Sequence, residues 1–144
     1  MESPPYQLDI VADRADVDEL GHISNLVFLR WVLDAATAHS FAAGWNHEAY
    51  RKLGAVWVVR RHELEYLRPV YAEDAVALVT WVDTWRGASS IRKTSIRAGG
   101  VEVARGSTLW AFVGLESGRP TRIPDDLKRD FQTPLVAAQT FDRT

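Results

Sequence analysis

No cysteine occurs anywhere in this chain of 144 residues. That absence removes disulfides, thiolate metal sites and a cysteine nucleophile together, and it suits a reducing compartment. A secretory leader is not expected either, because Met1-Glu2-Ser3-Pro4-Pro5 carries no basic segment followed by an apolar run. Charge of one sign is lacking too. A formal net charge of −2 and a pI near 6.1 offer no long-range pull on nucleic acid or an anionic membrane. The longest mostly apolar stretch, Leu26–Ala43, is broken by Arg30, Asp34 and His39, which predicts a buried helix and not a membrane span. A cytoplasmic protein is the expectation. Several motifs are missing as well. His22, His39, His47 and His62 show no ligand spacing, so no metal is expected. Gly99-Gly100 is a turn signal, and neither a phosphate loop nor a dinucleotide fingerprint occurs. There is no Gly-x-Ser-x-Gly elbow, which excludes a serine nucleophile of that kind.

What is present is a single-domain length, with one domain expected over 1–144 and a short tail from about 132. A chain of this size buries roughly 68–70% of its unfolded surface, enough to fold without staples. Tyr6–Ala12 places Leu8, Ile10 and Ala12 on one face and predicts a short strand. Asp13–His22 is polar and acidic, with Gly21 near its end, and predicts a loop. Ser24 or Asn25 then caps a helix reaching about Ala43, with Gly44 in the terminating position. Only a thin polar stripe of Arg30, Asp34 and Thr37 interrupts its apolar surface, so the rest of the chain must wrap it. Four long strands follow, at Val56–Arg68, Asp74–Trp85, Ser89–Arg97 and Val101–Leu115, and Pro124–Phe131 suggests a helical turn or two. Short connections between successive strands predict an antiparallel meander, and runs of one element type predict an α+β fold.

One segment carries a more specific signal. Asp16-Val17-Asp18-Glu19-Leu20-Gly21-His22-Ile23-Ser24-Asn25-Leu26-Val27-Phe28-Leu29 resembles the Asp-x-Asp-x-x-Gly-His-Val-Asn-Asn-x-x-Tyr-Leu signature of hotdog-fold acyl-CoA thioesterases, in particular the 4-hydroxybenzoyl-CoA thioesterase and YbgC-like group. Glu65-Tyr66-Leu67-Arg68-Pro69-Val70, with Glu73-Asp74 after it, is similar to a second signature, and Pro120-Thr121-Arg122-Ile123-Pro124 also fits. The likeness runs from about Tyr6 to Phe131. It departs at Ile23-Ser24-Asn25 and Phe28, and at Leu33 and Ala36, where many relatives carry a Glu and an Arg. The resemblance implies a hotdog fold, a curved antiparallel sheet of about five strands wrapped around one long central helix. It also implies thioester hydrolysis with Asp18 as the catalytic carboxylate, and a homo-oligomer, dimer or tetramer, with sites at the subunit interface. No cofactor is implied, because coenzyme A is part of the substrate.

The chemistry of those positions is coherent. A carboxylate opens a thioester either as nucleophile, through a mixed anhydride, or as general base toward water. A helix N-terminus, with its free N–H groups, stabilises the oxyanion, and the resemblance makes the Asn25 N–H the donor. The plainer readings stand beside these. An aspartate before a helix is commonly a cap, Asp16 can serve only to orient the loop, and a lone His22 is usually a loop hydrogen-bonding residue. Glu63 and Glu65 share one strand face and read as half-exposed charges. Asp34 reads as a partner for Arg30 one turn away.

The phosphates of coenzyme A call for basic and hydroxyl residues, and Arg86, Ser89 and Lys93 are the principal candidates, with Ser90, Arg92 and Arg97 behind them. Their plain alternative is charge spread over the solvent face of the sheet. Trp57, Trp81, Trp85 and Trp110 read as core or interface, or in part as the wall of an acyl pocket. The partner is thus a small acyl-CoA, with no nucleic acid and no membrane. An acyl-carrier-protein thioesterase and a non-catalytic acyl-binding domain are the competing readings, and the intact Asp18 argues against the second.

Overall fold

The computed structural model describes residues 2–134. Most of the tail expected from about 132, residues 135–144, lies outside the described residues, as does Met1. Strand β1 (Tyr6–Val11) leads through a 3-10 turn (Arg14–Asp16) into helix α1 (Asn25–Ala42) and a second helix, α2 (His47–Leu53). Strands β2 (Ala55–Tyr66), β3 (Ala75–Arg86), β4 (Ser89–Ala98) and β5 (Val101–Gly114) follow, and helix α3 (Asp125–Gln132) comes last.

Ser24 is the cap of α1, its Oγ accepting from the Leu26 N–H at 3.3 Å. The helix ends at Ala43 and Gly44, the latter at φ +92° where a side chain would be strained. Nine of its eighteen residues are buried, and at about 1.5 Å per residue it spans roughly 27 Å. Helix α2 is an addition to the sequence reading. Asn46 caps it, accepting from Ala49 N–H at 2.9 Å, and Gly54 at φ +85° closes it.

All five strands pair antiparallel in one sheet, in the order β1-β3-β4-β5-β2. The four-strand meander expected from the sequence is corrected by this order. Only β3, β4 and β5 form one, while β2 lies outside β5 at the opposite edge from β1. The link of residues 67–74 is longer than the 2–5 residues of a hairpin, and it reaches roughly 26 Å when extended, enough to cross two intervening strands.

Helix α1 lies on one face of the sheet. A Cβ built on Gly106 would stand 3.7 Å from Val32 Cγ2, so Gly106 and its neighbours in register, Thr94 and Thr80, face the helix. Around the first half of α1, Phe28, Trp31, Val32 and Ala35 pack in one cluster with Leu8, Leu78, Ile96 and Ala104. Beyond its second half, Tyr50, Phe112, Ile123, Leu127 and Phe131 form another. A buried polar layer of His39, Thr80, Arg92 and Thr94 accompanies these clusters. Among the described residues, no helix is long and apolar enough to cross a membrane.

Candidate active site

The loop ahead of α1 is fixed by its own backbone. The Asp18 N–H donates to His22 O at 2.9 Å, Gly21 N–H returns to Asp18 O at 3.0 Å, and Val17 bridges Ile23. Gly21 sits at φ +87°, a conformation that favours glycine in so tight a turn. The Asp18 carboxylate is oriented from below, its Oδ1 accepting the Leu20 N–H at 2.9 Å, and its side chain is 24% exposed. It is therefore held in place yet open to a ligand.

Asp16 anchors the loop to the helix. Its Oδ2 accepts from Arg30 Nη2 at 2.6 Å, and its carbonyl accepts the Ser24 N–H at 3.0 Å. This corrects the expected Arg30–Asp34 pair. Asp16 is the hydrogen-bonding partner and raises the Arg30 pKa, with Asp34 a lesser electrostatic contributor. The loop also docks on the β2–β3 link, Ile23 N–H donating to Val70 O at 2.8 Å. His22 Nδ1 lies 3.9 Å from Asp18 Oδ1, beyond hydrogen-bond reach.

At the first position of α1, the Asn25 N–H precedes the intrahelical ladder and has no acceptor among the described residues. The Asn25 carbonyl accepts from Tyr66 Oη at 3.2 Å, which brings the end of β2 to the start of α1. Large apolar side chains stand open to solvent around this mouth, Leu20 at 75% and Leu26 at 78% exposure, with Tyr66, Leu67 and Tyr71 nearby in the fold. The chain thus brings together Asp16, Asp18, His22 and Asn25.

It does not bring the expected coenzyme A contacts to them. Tyr66 is level with Ala104, Ile96 and Leu78 across the sheet, and Arg86 lies eight residues beyond Leu78, roughly 26 Å further at 3.3 Å per residue. Arg86 and Ser89 flank the β3–β4 turn, where Ser89 Oγ donates to Arg86 O at 3.1 Å. Lys93 alternates with Thr94 and so lies on the face away from α1, in register with Trp81 and Ser107. Arg97 donates to Gly100 O in the β4–β5 turn. Glu63 and Glu65 are exposed, and Glu65 Oε1 accepts from Arg105 Nε at 2.6 Å, an ordinary surface pair.

Arg92 departs most from its sequence reading. It is a candidate for the coenzyme A phosphates, with the solvent face of the sheet as the plain alternative, and it is instead buried at 6% exposure beneath α1. The signal lay in the alternation of β4, since residue 92 shares its face with Ile96, which is wholly buried. Arg92 Nη1 donates to His39 Nδ1 at 2.9 Å and to Thr80 Oγ1 at 3.0 Å. Burial, then the neighbouring guanidinium, hold the His39 pKa down to about 3. Arg92 borders a cavity of about 260 Å³ between the second half of α1 and the sheet, walled by Trp57, Trp85, Trp110 and Phe131. Trp81 is not part of it.

The model of the thioesterase-like superfamily matches residues 14–131. No curated protein sequence matches the chain. Among solved structures, a DHNA-CoA thioesterase from Staphylococcus aureus superimposes with a TM-score of 0.76 at 22% identity, covering 82% of this chain and 80% of that one. A 1,4-dihydroxy-2-naphthoyl-CoA thioesterase from Synechocystis gives 0.81 at 12% identity, over 89% and 96%. A mutant 4-hydroxybenzoyl-CoA thioesterase complexed with 4-hydroxybenzoyl-CoA gives 0.82 at 16% identity, over 88% and 98%. At such identities the likeness establishes a shared fold, the hotdog.

Proposed function

The chain belongs to the thioesterase-like superfamily, a thioester hydrolase by class, and we propose that it cleaves an acyl- or aroyl-CoA to the free acid and coenzyme A. The group it resembles in its Asp16–Leu29 motif, that of 4-hydroxybenzoyl-CoA thioesterase, is the reading we adopt. One observation carries the assignment: the Asp18 carboxylate is fixed by the Leu20 N–H just ahead of a helix whose Asn25 N–H is unengaged. In this reading, the thioester carbonyl oxygen accepts from Asn25 N–H and is polarised by the positive end of the α1 dipole. Asp18 then attacks the carbonyl carbon, the C–S bond breaks, and coenzyme A leaves as the thiolate. Water hydrolyses the resulting anhydride and regenerates the carboxylate. In the general-base variant, Asp18 takes a proton from the attacking water, and the same bond breaks. Neither route needs a cofactor.

The separation of Asp18 from Arg86 and Ser89 supports a site shared between two copies. Strand β2 is an unpaired edge, and such edges recruit partners. Antiparallel pairing of β2 with a second β2 sets the Tyr66 end of one protomer beside the Ala55 end of the other. Arg86 and Ser89 lie at that Ala55 end, since Ser89 is in register with Ala111 and Ala111 with Val58. The pairing thus moves these coenzyme A candidates toward Asp18 of the partner subunit, in a dimer or a tetramer built from dimers. Lys93, on the outer face, would serve only the far end of the nucleotide. A cytoplasmic location accords with the cysteine-free sequence.

The test is release of thiol from a panel of aryl-, short- and medium-chain acyl-CoAs by the purified protein. The expected result is turnover of at least one of them. Turnover of none would contradict the reading.

A further inference from the structure

Arg92 carries a charge that the described residues do not compensate. Its guanidinium meets no carboxylate, and its hydrogen bonds go to Thr80 and to a neutral imidazole. Because Arg92 only donates, His39 Nδ1 bears the lone pair and its proton sits on Nε2. Phe131 stands 5.9 Å from the guanidinium carbon and adds a ring face, not a counter-charge. Burial lowers the Arg92 pKa to about 10, which still leaves it cationic at neutral pH. An unpaired buried charge is among the most costly features a fold can hold.

The cavity beside it has matching chemistry. Among the described residues no acidic side chain lines it, and the indole N–H groups of Trp85 and Trp110 in its wall are buried with no acceptor. The wall is therefore largely aromatic, with Arg92 as its charged group and the hydroxyls of Thr37, Ser40, Tyr50 and Ser90 as its neutral polar ones. Its volume of about 260 Å³ exceeds the ~150 Å³ of an engineered cavity that accepts benzene, so a ring or short chain with a polar end fits. The edge pairing through β2 described above also sets its Trp57 end on the side of the partner's Asp18.

We infer that this cavity is the acyl site, and that Arg92 selects acyl groups bearing a carboxylate at the end remote from the thioester. The apolar body packs between Trp57, Trp85 and Trp110, and the carboxylate accepts from the free N–H groups of Arg92, returning the missing counter-charge. The assignment rests on the thioester hydrolase reading for its account of what enters, but binding tests it without turnover.

The experiment is a tryptophan-fluorescence titration of the full chain at neutral pH with 3-phenylpropionate and with its neutral isostere 3-phenylpropionamide. The acid is expected to bind at least ~10-fold more tightly than the amide. That preference should vanish in Arg92→Met and be partly kept in Arg92→Lys. Equal affinities in the wild type, tighter binding of the amide, no saturable change with either, or an acid preference that outlives Arg92→Met would each overturn it. The wild-type comparison and Arg92→Lys stand even where Arg92→Met does not fold. Acid preference without any thioester hydrolysis contradicts the hydrolase reading alone. Hydrolysis without acid preference contradicts this assignment alone.

Discussion

Arg30 Nη2 donates to Asp16 Oδ2 at 2.6 Å, and this contact ties the second turn of α1 to the loop that holds Asp18. Asp16 does not face the reacting atoms in this account; it positions Asp18. Its own carbonyl also receives the Ser24 N–H, so the loop and the helix cap are fixed together.

Asp16→Asn keeps the shape and removes the charge of that contact. Steady-state kinetics well below the melting temperature should show kcat reduced about tenfold with KM little changed, since a small misplacement of a reacting group costs rate. The stability loss should be only about 1 kcal/mol, because the pair is partly exposed. A kcat equal to wild type would remove Asp16 from the positioning role.

His39 gives a pH dependence whose sign is fixed. Its pKa is 6.5 in the reference state and about 3 in the fold, lowered first by burial and then by Arg92. Between these values the unfolded chain binds a proton that the folded chain does not. Stability is thus full above about 6.5 and declines on acidification, by up to about 1.4 kcal/mol per pH unit. His62, lowered by burial, acts in the same direction. Denaturant unfolding between about pH 6.5 and 5, above the ordinary carboxylate range, should show this slope. His39→Gln, which can still accept from Arg92, should flatten it; an undiminished slope would assign the effect to other groups.

Strand β2 tests the assembly. A dimer has a mass of 2 × 16.2 kDa, or 32.4 kDa, and light scattering should find at least this. Val58 stands 38% exposed on that edge. Val58→Asp should shift the mass toward the monomer and lower activity in parallel, because in the proposed assembly each site draws on both copies. A dimer of unchanged mass and activity in this variant would place the interface elsewhere.

Much of this was legible in the sequence, and the exceptions have physical causes. The long helix was readable because Ser24 and Gly44 are chemically distinct stops around an apolar run. The Asp18 loop was readable from its motif. Helix α2 was missed although Asn46 and Gly54 bracket it, because seven residues with one buried side chain, Tyr50, make almost no periodic pattern. The position of β2 was missed because strand order depends on non-local pairing, and the only local sign was the length of the 67–74 link. The burial of Arg92 was not legible because basic residues are rarely buried, so both a phosphate contact and a solvated charge outweighed its alternation with Ile96. Asn25 could be named from the resemblance, but its unengaged N–H required the backbone.

The central claim turns on Asp18. Asn at this position retains an oxygen to accept from Leu20 N–H, so Asp18→Asn should fold and melt like the wild type. The decisive measurement is thiol release from the best acyl-CoA of the panel, free of background because the chain has no cysteine. The account predicts a fall in kcat of at least ~10² for Asp18→Asn at unchanged melting temperature. A variant as active as the wild type would contradict it and move the chemistry to another group.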